Sequence, residues 1–452
     1  MSRRRLVLLA LGGLVVVAVV LAALVGWRAM QVNTALQDAV ADADALQTSL
    51  EAGDQAAIDA SLADLQDSAG RAAELTGGPI WSMATVVPWL GDDARGVRTA
   101  AQVVSDLSTD GIGPLAQTAT RLDQLLPQDG RIDVDAVAEL QQPVETAAAA
   151  LSEAEEELAA EDSSGFVDRF KSKYRELTSL VSDAQQAIDS ASVTVDLLPD
   201  LLGADGPLDY LLVFQNNAEI RATGGLPGAL SVVRVDDGAV SLGAQDSASS
   251  FGERATPVLP LSKDEEEVFT EKLGTFMLDA NFTHDWPRAA ELIAARWEER
   301  YPEDLDGVLT VDTVAVSYLL AVTGPIDVGP YTLTADNAVD TLLNQAYIDI
   351  PDPGAQDVFF AQVAKTVFDR ISGGDIGAPR ELLRALVRAG DEGRVAVHLT
   401  DETEQAQIAE RRVAQATTDE SGAADGFDVT LLCPTPEYRL DPRYMEAAAR
   451  EA

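Results

Sequence analysis

The chain has 452 residues, of which 46% are hydrophobic and 24% charged, and its 75 acidic and 32 basic residues give a formal net charge of −43. This composition is typical of a folded, acidic protein of two or three domains. It excludes a nucleic-acid-binding protein, which needs clustered Lys and Arg against phosphates. The single cysteine, Cys433, excludes an intrachain disulfide, and with only two histidines a Cys/His metal site is disfavoured.

The N-terminus contains an apolar segment long enough to cross a bilayer. Leu6–Trp27 is 22 residues without a charge, and about 20 residues of helix span the hydrocarbon layer. Arg3–Arg5 precede the segment, so the positive-inside rule keeps residues 1–5 in the cytoplasm. The alternative is a cleaved signal peptide, whose apolar core is shorter, about 7–15 residues. The sequence favours a single-pass anchor in the cell membrane, with the rest of the chain outside the cytoplasm.

Residues 28–202 have the periodicity of helices. Apolar residues recur at three- and four-residue steps from Leu36 to Leu50, and Asp54 is suited to cap the next helix. Further helices are predicted at 92–107, 115–126, 134–160 and 164–193, after an apolar connector that carries Trp81 and Trp89. Two interpretations stay open for this region: a stalk or bundle that spaces a distal domain from the membrane, or a coiled-coil site for a protein partner. The interrupted apolar stripe favours the first.

Residues 203–432 alternate between short β-rich runs and helical segments. The first strand is predicted at Tyr210–Phe214, and Asp237-Gly238 is a hairpin-turn signal. Helices are predicted at 286–301, 313–321, 335–347, 355–371 and 379–389. The pattern predicts an α+β or α/β fold in which helices cover a mixed sheet. Residues 433–452 are predicted to form an irregular tail.

Most catalytic signatures are absent from the sequence. It has no phosphate-binding P-loop, no dinucleotide fingerprint, no GxSxG elbow and no HExxH helix. His284 adjoins Asp285, but catalytic triads are defined by convergence in space rather than by adjacency in sequence. Asp285 suits a helix cap, and the acidic run Lys263–Glu267 suits the first turn of a helix.

The segment Leu211–Leu230, "LLVFQNNAEIRATGGLPGAL", concentrates polar groups and glycines after a predicted strand. Its candidate binding residues are Asn216, Asn217, Glu219, Arg221, Thr223, Gly224 and Gly225. Glycines permit close approach of the backbone to a ligand, and an arginine suits bidentate binding of a carboxylate or phosphate. The alternative is an internal network, through a Glu219–Arg221 pair or Asn–backbone bonds, that locks a sharp loop. The residues alone favour this structural interpretation.

Three segments, "LLVFQNNAEIRATGG", "NFTHDWPRAAELIAARW" and "LDGVLTVDTVAVSYLLAVTGP", resemble an uncharacterised bacterial family that is common in actinobacteria. It is domain-of-unknown-function family four-zero-one-two, and the resemblance covers about residues 79–346. It implies a single-pass membrane protein with a helical part and an extracytoplasmic mixed domain. It implies no established activity.

The order of elements is also similar to the LytR-CpsA-Psr family, which transfers glycopolymers from polyprenyl carriers to the cell wall. The similarity aligns Arg221 with the arginine of that family's "RSDT" loop and Asp246 with the aspartate of its "PRD" motif. If the phosphotransferase alternative holds, it implies that Arg221 binds phosphate and that Asp246 holds magnesium, and otherwise no cofactor is expected. The loop aspartate is absent here and Gln245 replaces the second arginine, so a retained fold with lost chemistry is an equal expectation.

These observations predict a membrane-anchored, extracytoplasmic cell-envelope protein that binds an envelope glycan or a lipid-linked ligand. Asn281 and Asp285 join the Leu211–Leu230 candidates as binding residues. One alternative is a divergent glycopolymer phosphotransferase that acts on a polyprenyl-pyrophosphate-linked substrate, with Arg221 and Asp246 as catalytic residues. The other is a scaffold whose helices bind another envelope protein.

Overall fold

The computed structural model describes residues 3–88, 90–118, 127–128, 130–374, 379–409 and 412–414, without the side chains of residues 3–19, 51, 379 and 412. The chain divides into two compact units, the first of Met1–Leu122 and Val137–Asp196, the second of Asp123–Ala136 and Leu197–Ala452. Residues 123–136, which the sequence assigns to the helical region, therefore belong to the second unit. Trp89, Cys433 and the predicted tail lie outside the described residues.

The chain up to residue 201 is helical in its described part. Its helices are α1 (Arg3–Ala52), α2 (Gln55–Gly77), α3 (Pro79–Ala84), α4 (Gly91–Asp106), α5 (Ile112–Thr118), α6 (Val134–Ala138), α7 (Gln141–Ala160) and α8 (Asp168–Leu201). A π-helical turn, Leu107–Gly111, joins α4 to α5. Asp54 caps α2 as predicted, because its side chain accepts hydrogen bonds from the backbone N–H groups of Ala56 and Ala57.

Helices α1 and α2 form an antiparallel pair in the first unit. Ala39 and Leu46 of α1 pack with Ile58, Leu65 and Ala69 of α2 in one buried cluster. The small residues let the two helices approach closely, and the branched ones fill the space between them.

The predicted membrane anchor, Leu6–Trp27, falls within α1, and most of its side chains are among those of residues 3–19, which the structure does not describe. In the part of the chain that the structure describes, no helix combines the length and the apolarity needed to cross a membrane.

The second unit contains a mixed sheet, as predicted. Its strands are β1 (Leu208–Arg221), β2 (Gly224–Asp236), β3 (Ala239–Ser247), β4 (Gly307–Asp312), β5 (Ile326–Val328), β6 (Tyr331–Leu333) and β7 (Val395–Leu399). Five of them form one sheet in the order β3-β2-β1-β4-β7, and β5 and β6 form a separate hairpin. Strands β1 and β4 are parallel, and the other neighbours in the large sheet are antiparallel.

Helices complete the second unit. They are α9 (Lys263–Phe269), α10 (Lys272–Thr275), α11 (Trp286–Glu298), α12 (Thr313–Thr323), α13 (Ala338–Asp340), α14 (Ala346–Asp349), α15 (Pro353–Ser372), α16 (Pro379–Asp391) and α17 (Glu402–Ile408). A π-helical turn, Thr341–Gln345, joins α13 to α14. The acidic run begins α9 as predicted, because Ser262 and Glu265 form a reciprocal capping box.

Helices cover both faces of the sheet. Val213 of β1 packs in a core with Trp286 and Trp297 of α11, whereas its neighbour Phe214 packs against a second core that contains Phe359 of α15. Successive side chains of a strand point to opposite faces, so the two cores lie on opposite sides of β1. The predicted fold class, a mixed sheet covered by helices, is confirmed at this level.

Candidate functional site

The polar segment after residue 214 is a strand rather than a loop. Strand β1 continues to Arg221, which pairs with Gly224 across a turn formed by Ala222 and Thr223. The prediction that the strand ends at Phe214 is wrong, because antiparallel pairing with β2 extends β1 past the end of its parallel pairing with β4.

Gln215 locks this hairpin from inside. Its buried side chain donates from Nε2 to the carbonyl oxygen of Thr223 at 3.1 Å and accepts at Oε1 from the N–H of Gly225 at 3.3 Å. Gly224 has φ +117°, and a Cβ there would overlap Oε1 of Gln215, while a Cβ on Gly225 would overlap the backbone of Asn216. The two glycines therefore permit close approach between parts of the hairpin itself, and that space is not open to a ligand.

Arg221 joins the hairpin tip to the 3₁₀ segment Met277–Phe282. Its Nε donates to the carbonyl oxygen of Leu278 at 3.4 Å, and the guanidinium carbon lies 4.6 Å from the ring centre of Phe282. The only carboxylate within ion-pair distance of Arg221 in the described residues is that of Asp279, at 4.0 Å. Burial raises the pKa of Asp279 despite this arginine. The predicted Glu219–Arg221 pair is therefore absent from the described part of the chain.

Thr223 and Asn281 belong to the same junction. Asn281 is fully buried, and its Nδ2 donates to the carbonyl oxygen of Gly225 at 2.7 Å. The hydroxyl of Thr223 lies 3.5 Å from the backbone oxygen of Asn281. These two candidates thus hold the hairpin in place and are not exposed to a ligand.

A three-residue bulge in β1 sets the positions of Asn216, Asn217 and Glu219. Asn216 pairs with Leu226 and Ile220 with Gly225, so the three residues 217–219 have no partner on β2. Asn216 accepts at Oδ1 from the N–H of Ala218 at 2.9 Å, an Asx-type turn that shapes the bulge. The bulge leaves Glu219 exposed to solvent.

Asn217 lies two residues beyond the point where the parallel pairing of β1 with β4 ends. Its Nδ2 donates to Oδ2 of Asp312 at 2.8 Å, and Asp312 ends β4 and caps α12 by accepting from the N–H of Ala315 at 2.8 Å. Arg394 lies 3.3 Å from the same carboxylate. Burial raises the pKa of Asp312, and the hydrogen bonds and Arg394 oppose this shift.

Sequence reasoning missed Asp312 and Arg394 as partners of the polar segment. The signal for Asp312 was its position between the strand "GVLTVD" and the helix that follows. No local signal pointed to Arg394, whose contact with Asp312 spans 82 residues.

One polar and aromatic surface faces solvent beside the bulge. Asn216 donates from Nδ2 to the hydroxyl of Tyr347 at 2.6 Å, and the rings of Tyr347 and Phe360 lie 5.5 Å apart. Burial and then the charge of Glu219 raise the pKa of Tyr347, and Asp357 acts in the same direction. We call Asn216, Glu219, Tyr347, Asp357 and Phe360 the Asn216–Tyr347 surface.

Asp246 is separated from Arg221 in the sheet. It pairs with Leu230 of β2, whereas Arg221 pairs with Gly224, so the two partners are six residues apart along β2, about 20 Å at ~3.3 Å per residue. Its carboxylate accepts from Arg300 at 2.6 Å and from the Tyr301 hydroxyl at 3.0 Å.

Asp246 and Arg221 do not form a common site. Burial opposes ionisation of Asp246, but hydrogen bonds from Ser250, Arg300, Ser247 and Tyr301 hold its pKa below the usual value. None of these partners contacts Arg221. The geometry therefore does not assemble the pair that the LytR-CpsA-Psr similarity implies for catalysis.

The hairpin and its junction belong to a segment that matches a known protein family. Residues 205–347 match the family described as "Protein of unknown function (DUF4012)". The chain carries a DUF4012 domain. The match extends from just before β1 to Tyr347, so the family resemblance is confirmed there, while residues 79–204 lie outside the match.

Other comparisons add little to the DUF4012 assignment. No curated protein matches the chain. Among solved structures, the crystal structure described as the transcriptional regulator yvhJ from Bacillus subtilis is 16% identical and covers 45% of this chain and 74% of its own, with a TM-score of 0.25. That likeness is too low to support an inference about fold or function, and the LytR-CpsA-Psr similarity stays a prediction.

The DUF4012 domain does not fit the predicted magnesium ion. Among the described residues, no group of three His, Cys, Asp or Glu side chains is placed to hold a metal. Both oxygens of Asp246 already accept hydrogen bonds, Oδ1 from Ser247 and Ser250 and Oδ2 from Arg300 and Tyr301. No reaction step is therefore assigned to a metal at Asp246.

Asp285, the last predicted binding residue, lies at the start of α11 in the DUF4012 domain. It occupies the N-cap position of α11, where its backbone N–H donates to the hydroxyl of Thr283 at 3.2 Å. Its charge raises the pKa of His398 in β7, although burial lowers that pKa overall. Asp285 thus occupies the predicted cap position at the start of α11.

Proposed function

We propose that the protein is a membrane-anchored, extracytoplasmic cell-envelope protein whose second unit binds a neutral glycan at the Asn216–Tyr347 surface. The hydrogen bond from Asn216 to Tyr347, at 2.6 Å, carries this proposal. This bond holds the Asn216 amide next to the solvent-exposed ring of Tyr347, at the point where the pairing of β1 with β4 ends. Sugars present apolar C–H faces and hydroxyl groups, which an aromatic ring, amides and carboxylates complement.

The charges of the surface favour a neutral glycan over an anionic one. Glu219 and Asp357 both act electrostatically on Tyr347, and Arg221 points into the junction with the 3₁₀ segment. Among the described residues, no Lys or Arg lies within ion-pair distance of either carboxylate, and two such carboxylates repel phosphate and uronic acid groups. For a lipid-linked ligand, the proposal therefore concerns its sugar portion.

The membrane anchor in the proposal rests on the sequence. The uncharged segment Leu6–Trp27 has the length of a span, and Arg3–Arg5 before it favour a cytoplasmic N-terminus.

The test measures binding of the purified full chain to an array of neutral, N-acetylated and anionic oligosaccharides. We expect neutral sugars to bind, Tyr347→Ala to abolish binding, and Tyr347→Phe to weaken it because Asn216 loses its partner. Tyr331→Phe is the matched control, since the Tyr331 hydroxyl makes an equivalent bond of 2.9 Å with Asp349 in the same unit. Selective binding of anionic sugars, or equal binding by Tyr347→Ala, would contradict the proposal.

A further inference from the structure

The connector between α2 and α4, described at residues 79–88 and 90, exposes several large apolar side chains in the first unit. Val86 is 79% exposed, and Met83, Val87 and Leu90 are exposed as well. The connector comprises α3 and the turns that follow it. Clustered apolar exposure of this kind marks a surface that contacts a partner or a lipid phase.

The connector lies level with the end of the predicted membrane span. Helix α2 runs back along α1, and Nε of Arg28, the residue after the span, donates to the carbonyl oxygen of Leu75 at 3.3 Å. Trp81 and Ala84 of α3 pack in one cluster with Val25 and Val32 of α1. Since Val25 belongs to the last turn of the span, the connector begins at the depth where the span ends.

Two arginines beside the connector have no acidic partner among the described residues. Arg98 donates to the carbonyl oxygen of Thr76 at 2.9 Å and to the hydroxyl of Ser82 at 3.0 Å. Arg28 donates to Leu75 and to the side-chain oxygen of Gln31. Within the described residues, no carboxylate lies at ion-pair distance from either guanidinium, although the chain as a whole carries a charge of −43. Uncompensated arginines next to an apolar surface suit the phosphates of lipid headgroups.

The backbone of the connector is also suited to a poorly hydrated environment. The N–H of Val87 donates to the carbonyl oxygen of Ala84 at 3.1 Å, and the N–H groups of Leu90 and Gly91 donate to that of Val87. Because the N–H groups of Val87, Leu90 and Gly91 are bonded within the connector, moving these three groups out of water costs little.

We propose that the connector is a second membrane contact, in which Met83, Val86, Val87 and Leu90 enter the headgroup boundary of the bilayer spanned by Leu6–Trp27. Arg28 and Arg98 lie against the lipid phosphates. This inference rests on the proposed membrane anchor. A span with one attachment is free to rotate about its axis, whereas a second contact beside it fixes the orientation of the first unit at the membrane.

The test measures membrane depth in the full chain, reconstituted into vesicles of phosphatidylcholine and phosphatidylglycerol. Cys433→Ser removes the native cysteine, and an environment-sensitive fluorophore is attached at Val86→Cys. We expect nitroxide lipids labelled near the headgroup to quench this fluorophore severalfold more than nitroxides deep in the acyl chain. Val40→Cys is the matched control, because this valine of α1 is 65% exposed and lies about 20 Å beyond Trp27 at ~1.5 Å per residue.

A third position separates failure of the anchor from failure of the connector. Val16→Cys, at the middle of the span, should be quenched most by the deep nitroxides. Deep quenching at Val16 with none at Val86 overturns the connector contact and leaves the anchor standing. No quenching at Val16 overturns the anchor itself. Equal quenching at Val40 and Val86 also overturns the inference, and Val87→Cys repeats the measurement if Val86→Cys does not fold.

Discussion

The buried side chain of Gln215 bonds to two residues across the β1–β2 hairpin, as donor to Thr223 at 3.1 Å and as acceptor from Gly225 at 3.3 Å. A long amide thus replaces the backbone pairing that the turn cannot provide. This contact explains why Gln215 and the glycines Gly224 and Gly225 occur together in the hairpin.

Removing this amide should loosen the hairpin. In Gln215→Ala the Thr223 carbonyl and the Gly225 N–H lose their partner, and each buried group left unpaired costs about 1–3 kcal/mol. We expect a lower melting temperature and faster hydrogen exchange at the Gly225 amide in the purified full chain. Gln245→Ala is the control, since Gln245 is only partly buried and bonds one side chain, Ser231. Unchanged protection at Gly225 would show that Gln215 does not lock the hairpin.

The two glycines should tolerate alanine poorly, for separable reasons. In Gly224→Ala the residue has a positive φ and its Cβ overlaps the side chain of Gln215. In Gly225→Ala the Cβ overlaps the backbone of Asn216. We expect each to destabilise the fold by about 1–3 kcal/mol. Gly206→Ala is the control, because Gly206 also has a positive φ, +149°, but open space where the Cβ would lie. Adding Gln215→Ala should relieve the overlap at Gly224 and not that at Gly225, as thermal denaturation would report.

Arg221 should affect stability and not ligand binding. Its side chain is 14% exposed and contacts Leu278 and Phe282. Arg221→Ala should therefore cost about 1–3 kcal/mol of stability. Arg221→Lys should restore only part of this, because lysine cannot reproduce the planar fork of arginine. Affinity of the folded variants for neutral oligosaccharides should stay at the wild-type value. A loss of affinity without a loss of stability would show that Arg221 takes part in binding.

Ionised Asp246 should stabilise the fold, and this stabilisation should be lost at acidic pH. The pKa of Asp246 in the folded chain lies below the ordinary value of 3.8. Its contribution to the free energy of unfolding is therefore fully present above pH 3.8 and is lost as the pH falls through the folded pKa. Asp246→Asn should cost about 1–3 kcal/mol at pH 7 through its bonds with Arg300 and Tyr301. The difference between wild type and variant should shrink below pH 3.8.

Denaturation curves of wild type and variant at pH 7 and at acidic pH test this prediction for Asp246. Tyr301→Phe is the control, because it removes one bond of 3.0 Å and leaves the carboxylate. Its stability difference from wild type should change less with pH. A difference between Asp246→Asn and wild type that is constant with pH would contradict the role of the ionised carboxylate.

Local interactions in the sequence were enough to predict many elements of this protein. Asp54 as a cap, the acidic first turn of α9 and the turn at Asp237-Gly238, with φ +47° and +76°, all depend on neighbours within a few residues. The alternation of strands and helices likewise predicted a mixed sheet covered by helices. Such features follow from local backbone preferences and from apolar periodicity.

Only the tertiary structure decided what the polar residues of the hairpin contact. The pairing of β1 with β2 turned Gln215 and Arg221 inward, and the bulge turned Glu219 outward. Parallel pairing of β1 with β4 brought Asn217 to Asp312, and the contact of Asn216 with Tyr347 spans 131 residues. The sequence of the hairpin contains the chemical groups but not their directions, because strand register and packing against distant helices determine which face each side chain occupies.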